Sequence, residues 1–345
     1  MRTWREEWDF LHGRPERPIP QYESSDPVRE ISDSAKLCAD PLVSVVVTIY
    51  NHEKWLDECI GSVIEQRSDF KYEVLLCEDC STDSSLDIAK NWQRRFPDRV
   101  RVLYWEYNTG GSKNGQMGIA KARGKYIAWL EGDDYWIDQF KLQKQMDLIE
   151  SGKYRMVVAL NDICEEATGK IRQLRFPMSR EITLADAPFI YYHTSTYLIE
   201  KVLREEMQEW LRWIPAYDTV IFRLAVSLCG RIGVLNDKVS IYRRTGRGIY
   251  TSMSLSVKGE QGVCDAVLFL RHSPGNIKAL ARHNYCAALL NYVTYTNYDN
   301  QKSIKRLIAV LVATCEFPLA CGRRTLLFLF GSMIKSFFAK RSYEC

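Results

Sequence analysis

No stretch of this chain approaches the ~18 uncharged apolar residues that a membrane-spanning helix requires. The most apolar segments, residues 307–315 and 325–334, are cut short by Glu316 and Pro318 and by Lys335. The start, Met1-Arg2-Thr3-Trp4-Arg5-Glu6-Glu7-Trp8, lacks the apolar centre of a secretory signal. A disulfide framework is lacking too. The 11 cysteines are odd in number and spread from Cys38 to Cys345, so they read as small apolar side chains in a reducing compartment. Cys77 and Cys80 form a C-x-x-C, but no second pair and no nearby His completes a metal set. The expected location is therefore cytoplasmic. Excess charge of either sign is absent, with 47 basic and 43 acidic side chains giving +4, and this points to no nucleic-acid partner. Low complexity and internal repeats are absent as well. A 46% hydrophobic and 26% charged composition excludes disordered and collagen-like chains. The 345 residues suffice for one large α/β domain or two smaller ones.

What is present begins with a polar arm. Residues 1–40 carry Pro15, Pro18, Pro20 and Pro27 and read as irregular. Residues 42–49 form a continuous β-branched run, which suits a strand buried on both faces of a parallel sheet. Residues 72–77, 100–105 and 126–130 read as further strands. Between them lie helical stripes: Trp55, Leu56, Cys59, Ile60, Val63 and Ile64, then Leu86, Ala89, Trp92 and Phe96, with Ser81, Thr82 and Asp83 as capping candidates. A Gly-rich loop at residues 108–111 leads to a short helix near 118–122, and a later helix carries Leu142, Met146 and Ile149 before Gly152. Strand and helix alternate, so the expected fold is α/β with a mostly parallel sheet. Beyond it, residues 156–160, 193–199, 231–235 and 239–242 read as strands. Residues 167–170 read as a hairpin turn, 218–229 as a helix closed by Gly230, and the chain from 266 onward as helical.

Ligands of parallel sheets bind beyond the carboxyl ends of the strands. That rule gathers Thr48-Ile49-Tyr50-Asn51, Glu78-Asp79 and Glu131-Gly132-Asp133-Asp134 into one crevice. Carboxylates at such a point suit a hard divalent cation, Mg²⁺ or Mn²⁺, shared with substrate phosphates. An isolated acidic turn is more often a solvated loop or a cap. Two further polar strand ends in the same crevice favour a site.

Residues from about 42 to 150 resemble the nucleotide-binding half of glycosyltransferase family 2, which has the GT-A fold. Residues 43–51 (VSVVVTIYN) resemble its opening strand, and Glu78-Asp79-Cys80-Ser81-Thr82-Asp83 its D-D-G-S-T-D turn. Asn108-Thr109-Gly110 and residues 122–127 resemble the approach to the D-x-D element, and Glu131-Gly132-Asp133-Asp134-Tyr135-Trp136 is similar to that element. The resemblance implies an inverting, metal-dependent transfer of one sugar from a nucleotide-sugar, by default a UDP-sugar, to a glycan or lipid-linked saccharide in surface polysaccharide synthesis. Thr48, Tyr50 and Glu53 would line the nucleoside pocket, and Asp79 would accept from the base. Asp133 would hold Mn²⁺ or Mg²⁺ with Glu131 beside it, and Asp218 would be the general base. The implied organisation is an arm (1–40), a GT-A domain (41–255, with a nucleotide-sugar half at 41–150 and an acceptor half at 151–255) and a helical C-terminal extension (256–345).

Several positions depart from the pattern. Cys80 stands where Gly is usual, Gly115 where Arg is frequent, and Thr245 where a metal-binding His is found in relatives. The third protein ligand of the metal is left open. Lys113, Arg243 and Arg247 are candidates for contact with the diphosphate, and His193 and Thr194 for an acceptor wall. Gln208-Glu209-Trp210-Leu211-Arg212-Trp213 is one residue longer than the Q-x-x-R-W of processive relatives, which predicts single-sugar transfer. Two rival functions remain: a nucleotidyltransferase of related fold, and a catalytically weakened sugar-nucleotide or glycan-binding module. Residues 301–345 carry eight Lys/Arg and two Glu among apolar stripes. They suit either a helix at the inner membrane face or packing on the protein.

Overall fold

The computed structural model describes residues 28–174, 179–183, 186, 190, 192–202, 218–246 and 254–272, with scattered positions as far as 292. Two compact units divide the chain: residues 20–248, and residues 249–345 together with 1–19.

The larger unit is built on one sheet. Its strands are β1 (Arg29–Ile31), β2 (Val43–Ile49), β3 (Tyr72–Glu78), β4 (Val100–Tyr104), β5 (Tyr126–Glu131), β6 (Tyr135–Trp136), β7 (Met156–Glu165), β8 (Lys170–Arg172), β9 (Glu181–Thr183), β10 (Leu198–Glu200) and β11 (Arg231–Arg244). Their order is β1-β4-β3-β2-β5-β10-β7-β11-β6, with β8 on β7 and β9 on β11. Strands β4, β3, β2 and β5 run parallel, as the β-branched runs predict, and β7 and β11 form a second parallel pair. Strand β10 is antiparallel to both neighbours and joins the two halves.

Both faces of the central strands are covered. Val43, Val45, Val47 and Ile49 pack into one cluster with Leu56, Cys59, Ile60 and Val63 of α1 (Leu56–Ile64), with Ala89 and Trp92 of α2 (Ser85–Arg95), and with Leu142, Met146 and Ile149 of α4 (Lys141–Glu150). On the opposite face lies α3 (Gly111–Lys121), which approaches so closely that a Cβ at Gly118 would lie 2.6 Å from Cys77 Sγ and from Val46 Cγ1. Glycine is required there by space. Helix α5 (Asp218–Cys229) ends at Gly230, whose φ of 75° suits a residue without Cβ.

Some local expectations change. Order begins before residue 41, because Arg29–Ile31 adds an edge strand to β4, and Arg101 reaches from β4 to the Glu30 carboxylate. Residues 194–196 are a 3₁₀ turn instead of a strand, leaving Leu198–Glu200 as the strand. The two short strands expected at 231–242 are one strand, Arg231–Arg244, with irregular register between Leu235 and Ser240. Helix α3 begins at Gly111, well before residue 118. The N-cap of α2 is Ser84, one residue beyond the expected candidates, and Asp83 just before it accepts the Ser85 N–H on Oδ1 at 2.9 Å. In the smaller unit, α6 (Leu255–His272) is described; residues 1–27 and 301–345 lie outside the described residues. Among the described residues no helix is long and apolar enough to cross a membrane.

Candidate active site

The register of the parallel strands brings the acidic groups together. Thr48 is level with Cys77 on one side and Glu131 on the other, and Ile49 is level with Glu78. The ends of β2, β3 and β5 therefore open onto one edge. The Thr48 carbonyl accepts the Gly132 N–H at 2.8 Å, which starts the acidic turn directly beside β2.

Two loops are clasped at this edge. Asn51 N–H donates to Ser81 Oγ at 2.9 Å, His52 N–H to Ser85 Oγ at 2.9 Å, and Glu53 N–H to Asp83 Oδ2 at 3.0 Å. In return Thr82 N–H donates to Asn51 Oδ1 at 2.8 Å and Ser84 N–H to Glu53 Oε2 at 3.0 Å. Glu53 is thus exposed yet fixed, and Tyr50 stands 44% exposed on the rim. Asn51 and Cys80 take left-handed conformations, φ 56° and 59°. The Glu78 carboxylate accepts the N–H groups of Cys80 and Ser81.

Asp79 is buried and already engaged. Oδ1 accepts from the Thr109 N–H and hydroxyl, both at 2.7 Å, and Oδ2 accepts from the Gly110 N–H at 2.8 Å. Burial raises its pKa, against the pull of those bonds and of Lys113. Lys113 Nζ itself lies over the Trp105 and Tyr107 rings, at 5.3 and 5.8 Å. Gly115 faces Trp129, whose ring carbons would stand 2.2 and 2.4 Å from a Cβ, so the indole fills the space a longer side chain would need.

The acidic turn draws in residues from afar. Thr194 donates its hydroxyl to Glu131 Oε1 at 2.7 Å. Asp134 Oδ1 accepts the backbone N–H of Arg243 at 2.8 Å, while Oδ2 is buried without a hydrogen-bond partner among the described residues and lies 3.7 Å from His193 Nδ1. Burial and the charges of Asp133 and Glu131 push the Asp134 carboxyl well above the usual range. His193 is held by Ser195, with Oγ 2.8 Å from Nδ1, and stacks on Tyr242 at 4.4 Å. Burial lowers its pKa to about 4, which keeps the ring neutral at pH 7. Glu131, Asp134 and His193 each offer an atom within 4.8 Å of the others. An orphaned carboxylate oxygen in such a set fits a divalent cation, which would supply the missing positive charge.

Asp133 stands at the edge of this group, with Oδ1 4.0 Å from His52 Nε2. His52 lies so close to the turn that a Cβ at Gly132 would meet its Nδ1 at 2.5 Å. Neither His52 nor Asp134 was selected as a site residue from sequence, and a single His after Asn51 carries no spacing signal. Arg243 is buried, with its guanidinium 2.6 Å from Glu58 and 3.8 Å from Glu166, and it stacks on Tyr135. Lys54 pairs with the same Glu166. Asp218 opens α5; its side chain, and all of Arg247, lie outside the described residues. Cys77 and Cys80 are free thiols, and burial pushes the Cys77 thiol up to about 12, which disfavours its thiolate.

Comparisons with known proteins agree with this layout. The family described as "Glycosyl transferase family 2" matches residues 44–208. Protein Rv1520 of Mycobacterium tuberculosis is 27% identical over 225 residues, covering 61% of each chain, so the match spans about three fifths of that relative's length. TuaG of Bacillus subtilis, provisionally named a teichuronic acid biosynthesis glycosyltransferase, is 34% identical over 109 residues, 32% of this chain and 42% of its own. Residues 1–349 of TarS from S. aureus, solved with UDP-GlcNAc, superpose with a TM-score of 0.58 at 20% identity, covering 86% of this chain and 89% of that one. The mannosyltransferase PcManGT from Pyrobaculum calidifontis, solved with GDP-Man and Mn²⁺, gives 0.55 at 16% identity, covering 98% and 94%. These likenesses show the GT-A fold. The family match covers the strands that carry the crevice, and over those residues the chain is similar to glycosyl transferase family 2.

Proposed function

We propose that this chain transfers one sugar from a nucleotide-sugar, by default a UDP-sugar, to a saccharide or lipid-linked saccharide of a surface polysaccharide, with inversion and with a divalent cation. The observation that carries this reading is the convergence of Thr48, Asp79 and the Glu131–Asp134 turn at adjacent carboxyl ends of parallel strands. One end of that edge suits a nucleoside and the other a diphosphate with its cation. TarS was solved with UDP-GlcNAc and PcManGT with GDP-Man and Mn²⁺, which supports a nucleotide-sugar donor. The name of TuaG supports an acceptor of the anionic surface-polymer class.

In this reading residues 41–150 bind the donor and 151–255 the acceptor. Thr48, Tyr50, Glu53 and Asp79 border the nucleoside. Asp79 meets the base only when Thr109 and Gly110 yield some of their bonds to it. Asp133 and Glu131 hold the cation, Mn²⁺ or Mg²⁺, which when bound offsets the charge of the departing diphosphate. Lys113 adds a positive charge near the diphosphate. Arg243 serves from a distance, because its backbone fixes Asp134 while its side chain is engaged by Glu58. Asp218 takes the proton of the acceptor hydroxyl as that oxygen attacks the anomeric carbon and the bond to the diphosphate oxygen breaks. Its place at the start of α5 favours the ionised carboxylate a base requires. The basic, apolar residues 301–345 bring the chain to an anionic membrane at its cytoplasmic face, where a lipid-linked acceptor would lie.

A thermal-shift screen of sugar nucleotides tests the reading, since a bound donor stabilises by mass action. One donor should raise the melting temperature with Mn²⁺ and lose that effect in EDTA. No shift with any sugar nucleotide would contradict it.

A further inference from the structure

We propose that His193 donates a hydrogen bond from Nε2–H to a hydroxyl oxygen of the acceptor saccharide, beside the acidic turn. This rests on the transfer reading above and names the atom that holds the acceptor there. Of the two acceptor candidates in the sequence, Thr194 commits its hydroxyl to Glu131 Oε1 at 2.7 Å. His193 keeps a donor. The Ser195 N–H points at Nδ1 from 3.4 Å, and an N–H can only donate. Nδ1 is therefore the acceptor of a neutral ring, and the single ring proton sits on Nε2. The Ser195 hydroxyl, 2.8 Å from Nδ1 and 2.9 Å from the Ser240 hydroxyl, fills the same side. Among the described residues Nε2 has no hydrogen-bond partner, yet it is not enclosed, and 13% of the side chain meets solvent. A free donor on an otherwise enclosed ring is open to a ligand.

The turn that carries the ring is braced from several elements. Trp136 Nε1–H donates to the Ser195 carbonyl at 2.9 Å, and Gln145 Nε2–H to the Thr196 carbonyl at 2.7 Å. Tyr242 stacks on the imidazole at 4.4 Å. The donor is thus fixed before a ligand arrives, and little ordering remains for binding to impose. An uncharged N–H suits an uncharged oxygen, as a sugar hydroxyl offers. His193 lies in the half that takes the acceptor, and its ring stands against the acidic turn, with Nδ1 3.7 Å from Asp134 Oδ2. An acceptor must reach the anomeric carbon beside the cation-bound diphosphate, so its ring passes this turn. The hydroxyl held by Nε2–H is a neighbour of the attacking one, because a donor on the attacking oxygen would draw on the lone pair that forms the new bond.

The test is nitrogen NMR of the full chain carrying ¹⁵N-histidine, with UDP, Mg²⁺ and, one at a time, the methyl glycosides of glucose, galactose, mannose and N-acetylglucosamine. The His193 signals, assigned by their loss in His193→Phe, should show the proton on Nε2. One glycoside should shift Nε2 more than Nδ1. The same glycoside should accept sugar from the donor found by the thermal screen, with a KM about tenfold higher in His193→Phe. His193→Gln, whose amide N–H reaches the place of Nε2, should recover most of that loss. A proton on Nδ1 overturns the proposal, and so does an Nε2 signal that no glycoside moves. Equal KM values in the wild type and His193→Phe overturn it too. Each of these results leaves the donor's thermal shift, and with it the transfer reading, untouched. Loss of that shift in His193→Phe would make the ring part of the donor site and overturn the assignment to the acceptor.

Discussion

Thr194 donates its hydroxyl to Glu131 at 2.7 Å, across 63 positions of sequence. The bond ties the 3₁₀ turn between β9 and β10 to the end of β5, and it orients one carboxylate oxygen of the acidic turn. Partners that orient a metal ligand commonly contribute 10–100-fold to metal affinity. Thr194→Val keeps the shape and loses the bond. It should weaken Mn²⁺ binding by about tenfold, read by isothermal titration, with little change in melting temperature. Unchanged affinity would remove Thr194 from the site.

Lys141 is fully buried over the Trp136 ring, and burial lowers its pKa from 10.5 to about 7. The folded chain therefore binds fewer protons than the unfolded one between those values. Lys141 costs most at and below pH 7, and the cost fades as the pH rises toward 10.5. Lys141→Met should stabilise the chain at pH 7, and the gain should shrink by roughly 1.4 kcal/mol per pH unit on the way up. Urea unfolding of both chains at several pH values checks this. A gain independent of pH would show that the amine does not titrate as described.

Cys80 holds a left-handed conformation that costs an L-residue roughly 1–2 kcal/mol. Cys80→Gly removes that strain while its N–H keeps the Glu78 carboxylate. Stability should rise by about 1 kcal/mol in chemical unfolding, after the extra chain entropy of glycine is subtracted. A loss of stability would mean that the thiol packs better than its φ suggests.

The parallel half of the fold was legible because its strands are buried on both faces and so read as unbroken β-branched runs. Residues 43–49 are the clearest case. Helix α3 was read short, since Asn114, Gly115 and Gln116 lack an apolar stripe; the helix is held by the closeness of Gly118 to Val46 and Cys77. The 3₁₀ turn at 194–196 looked like a strand because its alternation reflects hydrogen bonding to Glu131 and His193 instead of a pleat. The acidic turn and Asp79 were legible as strand ends. That Thr109 and Gly110 occupy Asp79, or that His193 reaches Asp134, was not, because both depend on long-range contacts without a local pattern.

The central claim is that a carboxylate-activated acceptor displaces a nucleoside diphosphate at this edge. The most direct measurement is the slow release of nucleoside diphosphate from the donor found by the thermal screen, with Mn²⁺ and water as acceptor, in the wild type and in Asp218→Asn. Loss of a general base typically costs 10²–10⁴-fold. The account predicts a fall of at least about 100-fold in release with donor affinity unchanged. Equal release by both chains would contradict it.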